Sequence, residues 1–233
     1  MYFEVSKEVF DKLPNAVFGA VAVKGVDNTK MIPELAEMTA DGVADCAAYI
    51  GDVKPKNLEC VTPYRDAFKA LGINPNRYSC SIEALMDRIA KGRDFPAINA
   101  VVDLGNAISV KYKLPIGAHD IDTFDGGLEV RPAGAEDIFI TFDGQEDNPE
   151  AGEVVYVTGH EVRTRRWTWR QGANGMITEG TTNVLFPIDG FKDFNMAEVE
   201  AAIEDFKAMI AQYFGDVEVT STIIDADNRR FEF

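Results

Sequence analysis

Ile98-Asn-Ala-Val-Val-Asp103-Leu-Gly105-Asn106, followed by Lys113-Leu-Pro115-Ile-Gly117-Ala-His119-Asp120-Ile-Asp122, is the stretch on which the reading of this chain turns. Its first half is apolar at Ile98, Val101, Val102, Leu104, Ile108 and Val110. That spacing predicts mostly helix from Pro96 to Lys113, although so many β-branched residues would also suit a strand. The second half turns a corner at Pro115 and Gly117. An amide, an imidazole and a carboxylate fall between positions 106 and 120, with glycines at 105 and 117 that let a ligand approach the backbone. An imidazole beside a carboxylate can orient water as a general base. Asn106 and His119 are therefore the catalytic candidates, with Gly105, Gly117 and Asp120 as substrate-binding candidates. The competing reading is structural: a helix-to-strand corner in which Asp120 caps backbone and His119 is half buried.

Upstream of this stretch the pattern is mixed. Ser6 to Leu13 reads as a short helix, Asn15 to Val26 as a strand with Val17, Val21 and Val23 in alternation, and Met31 to Ile50 as a long helix stopped at Gly51. Thr62 is expected to cap a helix that has proline next and ends at Gly72. Ser81 is expected to cap another that ends at Gly92. Downstream, short β-like runs follow at Leu128–Pro132, Ile138–Phe142, Val154–Thr158, Glu161–Trp169 and Thr181–Pro187, separated by Gly, Asp and Asn. Asn195 with Glu198 resembles a capping box opening a helix through Tyr213, and Val217 to Ile224 reads as a last strand. Helices, then strands, then a helix and a strand predict an α+β fold rather than a doubly wound sheet. The chain is expected to be one domain, with residues 1–60 an extension packed on a core of 61–233.

The 233 residues carry 39 acidic and 23 basic side chains, a net charge of −16. Phosphate contacts supply most non-specific nucleic-acid affinity, so DNA is not an expected partner and any RNA contact needs locally concentrated cations. One segment concentrates them: Arg163, Arg165, Arg166 and Arg170. In Arg165-Arg-Trp-Thr-Trp-Arg170-Gln171-Gly172, strand alternation would put Arg165, Trp167 and Trp169 on one face and Arg166, Thr168 and Arg170 on the other. The aromatic face could stack a base or an aromatic side chain, and arginines could hold a phosphate or carboxylate. Arg163, Arg165 and Arg166 are thus the RNA-binding candidates, and Trp169, Arg170 and Gln171 substrate-binding ones. The alternative is a core strand with buried tryptophans.

Other machinery is excluded by motif. There is no phosphate loop, no G-x-S-x-G elbow and no strand-linked G-x-G-x-x-G. His119 and His160 are the only histidines, and Cys46, Cys60 and Cys80 are widely spaced, so neither a zinc site nor a disulfide framework is expected, and no cofactor is implied. The opening MYFEVSKEVF has no apolar signal-peptide core, and no run approaches the about 18 apolar residues of a membrane span. These features predict a cytoplasmic protein without a membrane partner; they name no protein partner.

Asn99-x-Val-Val-Asp103-x-x-Asn106 with Pro115-x-x-Ala118-x-Asp120 resembles the matching stretch of the B3/B4 domain of phenylalanyl-tRNA synthetase β subunits. Ser81-Ile-Glu-Ala-Leu, Leu128-Glu-Val-Arg131-Pro-Ala and Thr182-Asn183-Val-Leu fit the same pattern, so the resemblance runs from Pro63 to Phe191. It implies a layered β-sandwich core with flanking helices. It also implies a pocket for an amino acid or aminoacyl ester near Asn106 and Gly117, with Thr182 and Asn183 contributing, and hydrolysis of mischarged aminoacyl-tRNA as the activity. A free-standing amino-acid or small-molecule binding protein on the same fold is the alternative. The chain departs from the family pattern in three places. Gly105 stands where a threonine is usual, and Gly117 where a histidine is usual, with His119 two residues on. No carboxylate stands near Phe186-Pro187, where the family has a glutamate; Asp189 is the nearest acid. No ATP motif and no room for a synthetase catalytic core remain, so a complete phenylalanine–tRNA ligase is not expected.

Overall fold

The computed structural model describes residues 1–95 and 97–233. Ten strands and six helices follow in the order β1 (Tyr2–Val5), α1 (Lys7–Lys12), β2 (Ala16–Lys24), α2 (Pro33–Ile50), α3 (Thr62–Ala70), α4 (Ser81–Ala90), α5 (Ala100–Tyr112), β3 (His119–Asp120), β4 (Gly127–Pro132), β5 (Val154–Thr158), β6 (Glu161–Arg165), β7 (Arg170–Gln171), β8 (Asn183–Phe191), α6 (Met196–Tyr213), β9 (Glu218–Ile224) and β10 (Arg230–Glu232). One sheet has six strands in the order β10-β1-β4-β5-β6-β7; the other has four, β3-β8-β2-β9. The α+β class with a layered sandwich core and flanking helices is what the structure has.

Strand β2 shows how the layers form. Phe18, Ala20 and Ala22 join a buried cluster with Phe3, Val5, Val130, Tyr156 and Trp167, which fills the space between the two sheets. The alternate residues Val17, Val21 and Val23 join Val184, Phe186 and Ile188 of β8 against α5 and α6. Period-two alternation thus buries both faces of the smaller sheet. Helix α6 approaches it closely: a Cβ placed on Gly190 would lie 2.5 Å from Val199 Cγ2, and one on Gly19 would lie 3.0 Å from Val199 Cγ1.

Several sequence expectations need correction. Residues 1–60 are not an appended extension. They supply β1, between β10 and β4, and β2, between β8 and β9, interior strands of both sheets. The strand expected at Ile138–Phe142 makes only isolated bridges, Ile138 with Glu161 and Ile140 with Glu146. Thr62 is already helical, and its hydroxyl donates to the Leu58 carbonyl rather than accepting from an N–H. Ser81 is likewise the first helical residue, preceded by Cys80. Asn195 does not form the capping box. Its Oδ1 accepts from Phe191 N (2.7 Å) and its Nδ2 donates to the Tyr64 hydroxyl (2.9 Å), so the side chain faces inward. The true side-chain cap is Asn99, which accepts from Val102 N and starts α5, and Lys113 ends that helix at φ 58°. The helical alternative for this segment therefore holds from Ala100; Pro96 lies outside the described residues.

Candidate functional site

Helix α5 carries Gly105 and Asn106 on the side that faces the Pro115–Asp120 corner. Gly105 is buried, and a Cβ there would stand 3.6 Å from the Phe186 ring, so the small residue sets helix against sheet. The corner is pinned to β8: Gly117 N donates to Pro187 O and Asp189 N to Pro115 O (3.0 Å each). Between helix and corner lies a cleft of about 300 Å³, lined by Ile98, Val102, Gly105, Asn106, Ile116, Gly117, Ala118, Phe142, Gln171, Met176 and Ile177. Four residues that the sequence singled out thus meet here: Gly105, Asn106, Gly117 and Gln171.

The chemistry of this cleft is amide and hydrocarbon. Asn106 is half-buried, and its side chain makes no hydrogen bond among the described residues. Gln171 Nε2 donates to Ala118 O (2.9 Å), which orients the amide. Ile98, Phe142 and Met176 stand at the rim, 63%, 60% and 43% exposed. Such apolar exposure beside unpaired polar groups marks ligand grooves. No titratable side chain is among the lining residues.

His119 is not on this cleft. It lines an adjoining hollow of about 70 Å³ with Gly117, Tyr156, Trp167, Trp169, Arg170, Gln171 and Asp189. Its ring is buried, stacked on Tyr156 at 5.9 Å, and Nδ1 has no hydrogen-bond partner. Burial, reinforced by the Arg163 charge, pushes its pKa down to about 3. A base that weak accepts protons poorly at neutral pH, so the catalytic role expected for His119 does not fit its position. Below the hollow, Asp189 Oδ1 accepts from the Tyr156 hydroxyl and from Trp167 Nε1, each at 2.6 Å. Burial raises the Asp189 pKa to about 7, against the lowering effect of those two hydrogen bonds.

Asp120 behaves as the structural reading had it, whereas His119, expected to be half buried, is fully enclosed. Asp120 accepts from Asp122 N and from the Thr181 hydroxyl. Thr182 and Asn183 hold Asp122, with Asn183 Nδ2 at 2.7 Å and 2.9 Å from its two oxygens. None of these three lines the cleft.

The arginine stripe is also corrected. Strand β6 ends at Arg165, and Arg166 and Trp167 both adopt left-handed backbone (φ 47° and 59°), so the alternation of faces breaks. Trp167 is wholly buried, and Arg163, Arg165 and Arg166 are 1%, 2% and 7% exposed. Arg165 forms a two-pronged pair with Glu153 (2.9 and 2.8 Å) and donates to Asp147 O. Arg166 stacks 3.9 Å over the Tyr78 ring and 4.8 Å from Trp169. Arg163 Nη2 donates to Thr123 O. Guanidiniums so enclosed are internal braces and offer RNA no charged surface. Arg170 alone of the four is exposed.

The sequence missed a basic cleft. Lys54, Lys56, Arg65 and Arg77 converge around about 660 Å³ with Pro75, Asn76, Ser79, Glu83, Ala84 and Asp87. No local motif signals it, because its cations come from three separated segments.

A layered α+β sandwich with an amide-floored, apolar-rimmed cleft between a helix and the smaller sheet defines the class. The model of the B3/4 domain family matches residues 63–215, well over half of the chain, and the chain belongs to that family. Among solved structures it is similar to an N-terminal fragment of the phenylalanyl-tRNA synthetase β-subunit from Pyrococcus horikoshii, with 11% identity and a TM-score of 0.51, over 95% of this chain and 53% of that one. The chain therefore spans about half the length of that fragment, and at this identity the likeness speaks for the fold. No curated protein matches. Among the described residues there is no cluster of metal-ligating side chains, and no helix is long and apolar enough to cross a membrane.

Proposed function

We propose that this protein is a tRNA-associated B3/4-type domain whose Asn106–Gly117 cleft receives the amino-acid end of an aminoacyl-tRNA and promotes hydrolysis of the mischarged ester. The observation that carries the reading is the unpaired Asn106 amide on the wall of an apolar-rimmed cleft of amino-acid size. The amino-acid side chain packs on Val102, Ile116 and Ile177, and the Asn106 amide donates to the ester carbonyl. Water adds to that carbon, the bond to the ribose oxygen breaks, and a proton of the water passes to that oxygen. With no titratable group among the lining residues, the proton moves through water or a ribose hydroxyl of the substrate itself.

The same lack favours a second reading, in which the cleft binds an amino acid or similar small molecule without hydrolysing anything. One assay separates the two. A panel of aminoacyl-tRNAs, tyrosyl-tRNA-Phe included, is incubated with the protein and with Asn106→Ala. Deacylation that falls at least about tenfold in the variant, the worth of one well-placed hydrogen bond in a transition state, supports the hydrolase. No deacylation, with millimolar amino acids raising the melting temperature of the native protein only, supports the binder. Neither response would remove both readings.

A further inference from the structure

We propose that the cleft formed by Lys54, Lys56, Arg65 and Arg77 is a docking site for the phosphate backbone of RNA, and that it holds the acceptor arm of the tRNA whose aminoacyl end enters the Asn106 cleft; this rests on the reading above.

The first support is charge. In a chain of net charge −16, this cleft gathers four cations against two carboxylates, Glu83 and Asp87. Lys54, Lys56 and Arg77 are exposed and form no ion pair among the described residues. Most other exposed lysines are spent: Lys7 on Asp11, Lys69 on Asp66, Lys91 on Asp87, Lys111 on Asp205 and Lys192 on Asp225, as are the half-buried Lys24 on Glu218 and Lys207 on Glu204. Like charges left unpaired side by side repel one another, and a polyanion relieves that repulsion.

The second support is construction. Arg65 is largely buried and braces the wall, with Nη1 donating to Pro75 O (2.8 Å) and Glu83 (2.7 Å) and Nη2 to Asn76 Oδ1 (2.6 Å). That holds the loop bearing Arg77, whose guanidinium lies 5.1 Å over the Tyr78 ring. All three free cations thus sit beside proline or a braced turn, Lys54 and Lys56 on either side of Pro55 and Arg77 following Asn76. The open volume, about 660 Å³, exceeds that of the Asn106 cleft and suits a strand rather than a metabolite.

The third support is continuity. Tyr78 contacts Trp169 at 4.8 Å, and Ser81 N donates to Thr168 O (2.8 Å). Ser81, Trp169, the exposed Arg170 and Gln171 line the small hollow, and Gln171 also lines the Asn106 cleft. A single strand can therefore run from Arg77 past Arg170 to Asn106.

The test uses the full chain and deacylated tRNA, with affinity measured by fluorescence anisotropy from 0.05 to 0.3 M salt. The variant is Lys54→Ala/Lys56→Ala/Arg77→Ala; the charge control is Lys7→Ala/Lys192→Ala/Lys207→Ala, and both are checked for native melting temperature. Losing three phosphate contacts weakens binding by about tenfold or more and lowers the slope of log affinity against log salt by about 2 to 3, while the control stays close to the native chain. Equal binding by the cleft variant and the native chain, an equal loss in the control, or no binding of tRNA by the native chain would each overturn the proposal. Competition by polyglutamate as strong as by RNA of equal charge would assign the cleft to acidic proteins and overturn it too. An aminoacyl-adenosine ester, which carries no phosphate, reports separately on the Asn106 cleft. Its turnover or binding, lost in Asn106→Ala and retained in the cleft variant, keeps the parent reading alive whatever the tRNA result.

Discussion

At the residue scale, two buried titratable groups push stability in opposite directions. Asp189 has a folded pKa near 7 against 3.8 unperturbed. Its contribution is fully present below about pH 4 and is lost as pH rises through 7, because the folded state then carries a buried charge. His119, near 3 when folded against 6.5 unperturbed, does the reverse: its contribution is present above 6.5 and lost as pH falls. Between about pH 4 and 6.5 the two slopes offset; from 6.5 to 8 only Asp189 acts. Asp189→Asn keeps an oxygen for both donors, Tyr156 and Trp167, and removes the charge. From pH 6.5 to 8 the native protein is therefore expected to lose stability while Asp189→Asn stays level; parallel denaturation curves across that range would refute the assignment. The site was half legible at this scale. Asn106, Gly105, Gly117 and Gln171 could be named because turn chemistry and amides show in sequence. Lys54, Lys56 and Arg77 could not, since only folding brings α3, α4 and their flanking loops together.

At the element scale, the β6–β7 turn shows why the arginine stripe was misread. Alternation is a sound inference for an unbroken strand, but Arg166 and Trp167 take left-handed backbone that non-glycine residues rarely adopt, and nothing in Arg-Arg-Trp announces it. Glu153 stabilises that turn from the neighbouring strand end: it pairs with Arg165 and accepts from the backbone N of Arg166. Glu153→Gln leaves Arg165 and Arg166 short of a charge in a buried place, and a loss of about 3 kcal/mol in urea unfolding is expected, the usual cost of breaking an enclosed pair. A loss below about 1 kcal/mol would show the guanidiniums to be solvated instead. Helix α6 gives the complementary case. Its apolar face was legible from Val199, Ile203, Phe206 and Ile210, and those residues are buried as expected. What was not legible is how near it sits to the sheet, a matter of Gly19 and Gly190. Gly190→Ala, whose Cβ would meet Val199 at 2.5 Å, is expected to destabilise by about 1 to 3 kcal/mol through overpacking.

At the scale of the whole molecule, the α+β class was readable because helical and period-two segments were long and well separated, whereas the layering was implied only by the resemblance to the B3/B4 domain. The weave was not readable, since four-residue strands such as β1 carry too little pattern to distinguish them from a loop. Strand β10 covers β1 through pairs of Tyr2 with Glu232 and Phe3 with Phe231, and Arg230 stacks 3.8 Å from the Tyr2 ring. Removing residues 226–233 strips that cover and leaves β1 as an open edge. The shortened chain is expected to melt earlier and to self-associate, seen as concentration-dependent elution in size exclusion. An unchanged melting temperature and a single monomer peak would show that the edge needs no cover.

The same interleaving has a kinetic side. β1 lies parallel to β4 and antiparallel to β10, and β2 is held by β8 and β9, so each early strand finds its partners more than a hundred residues downstream. Loop-closure entropy must be met before those pairings return anything, and such topologies fold slowly. During synthesis, β1 and β2 leave the ribosome with their apolar faces bare and wait there until β8, β9 and β10 have been made. The acidic surface that weakens non-specific RNA binding would then serve the nascent chain as well, by keeping half-made copies from sticking to one another.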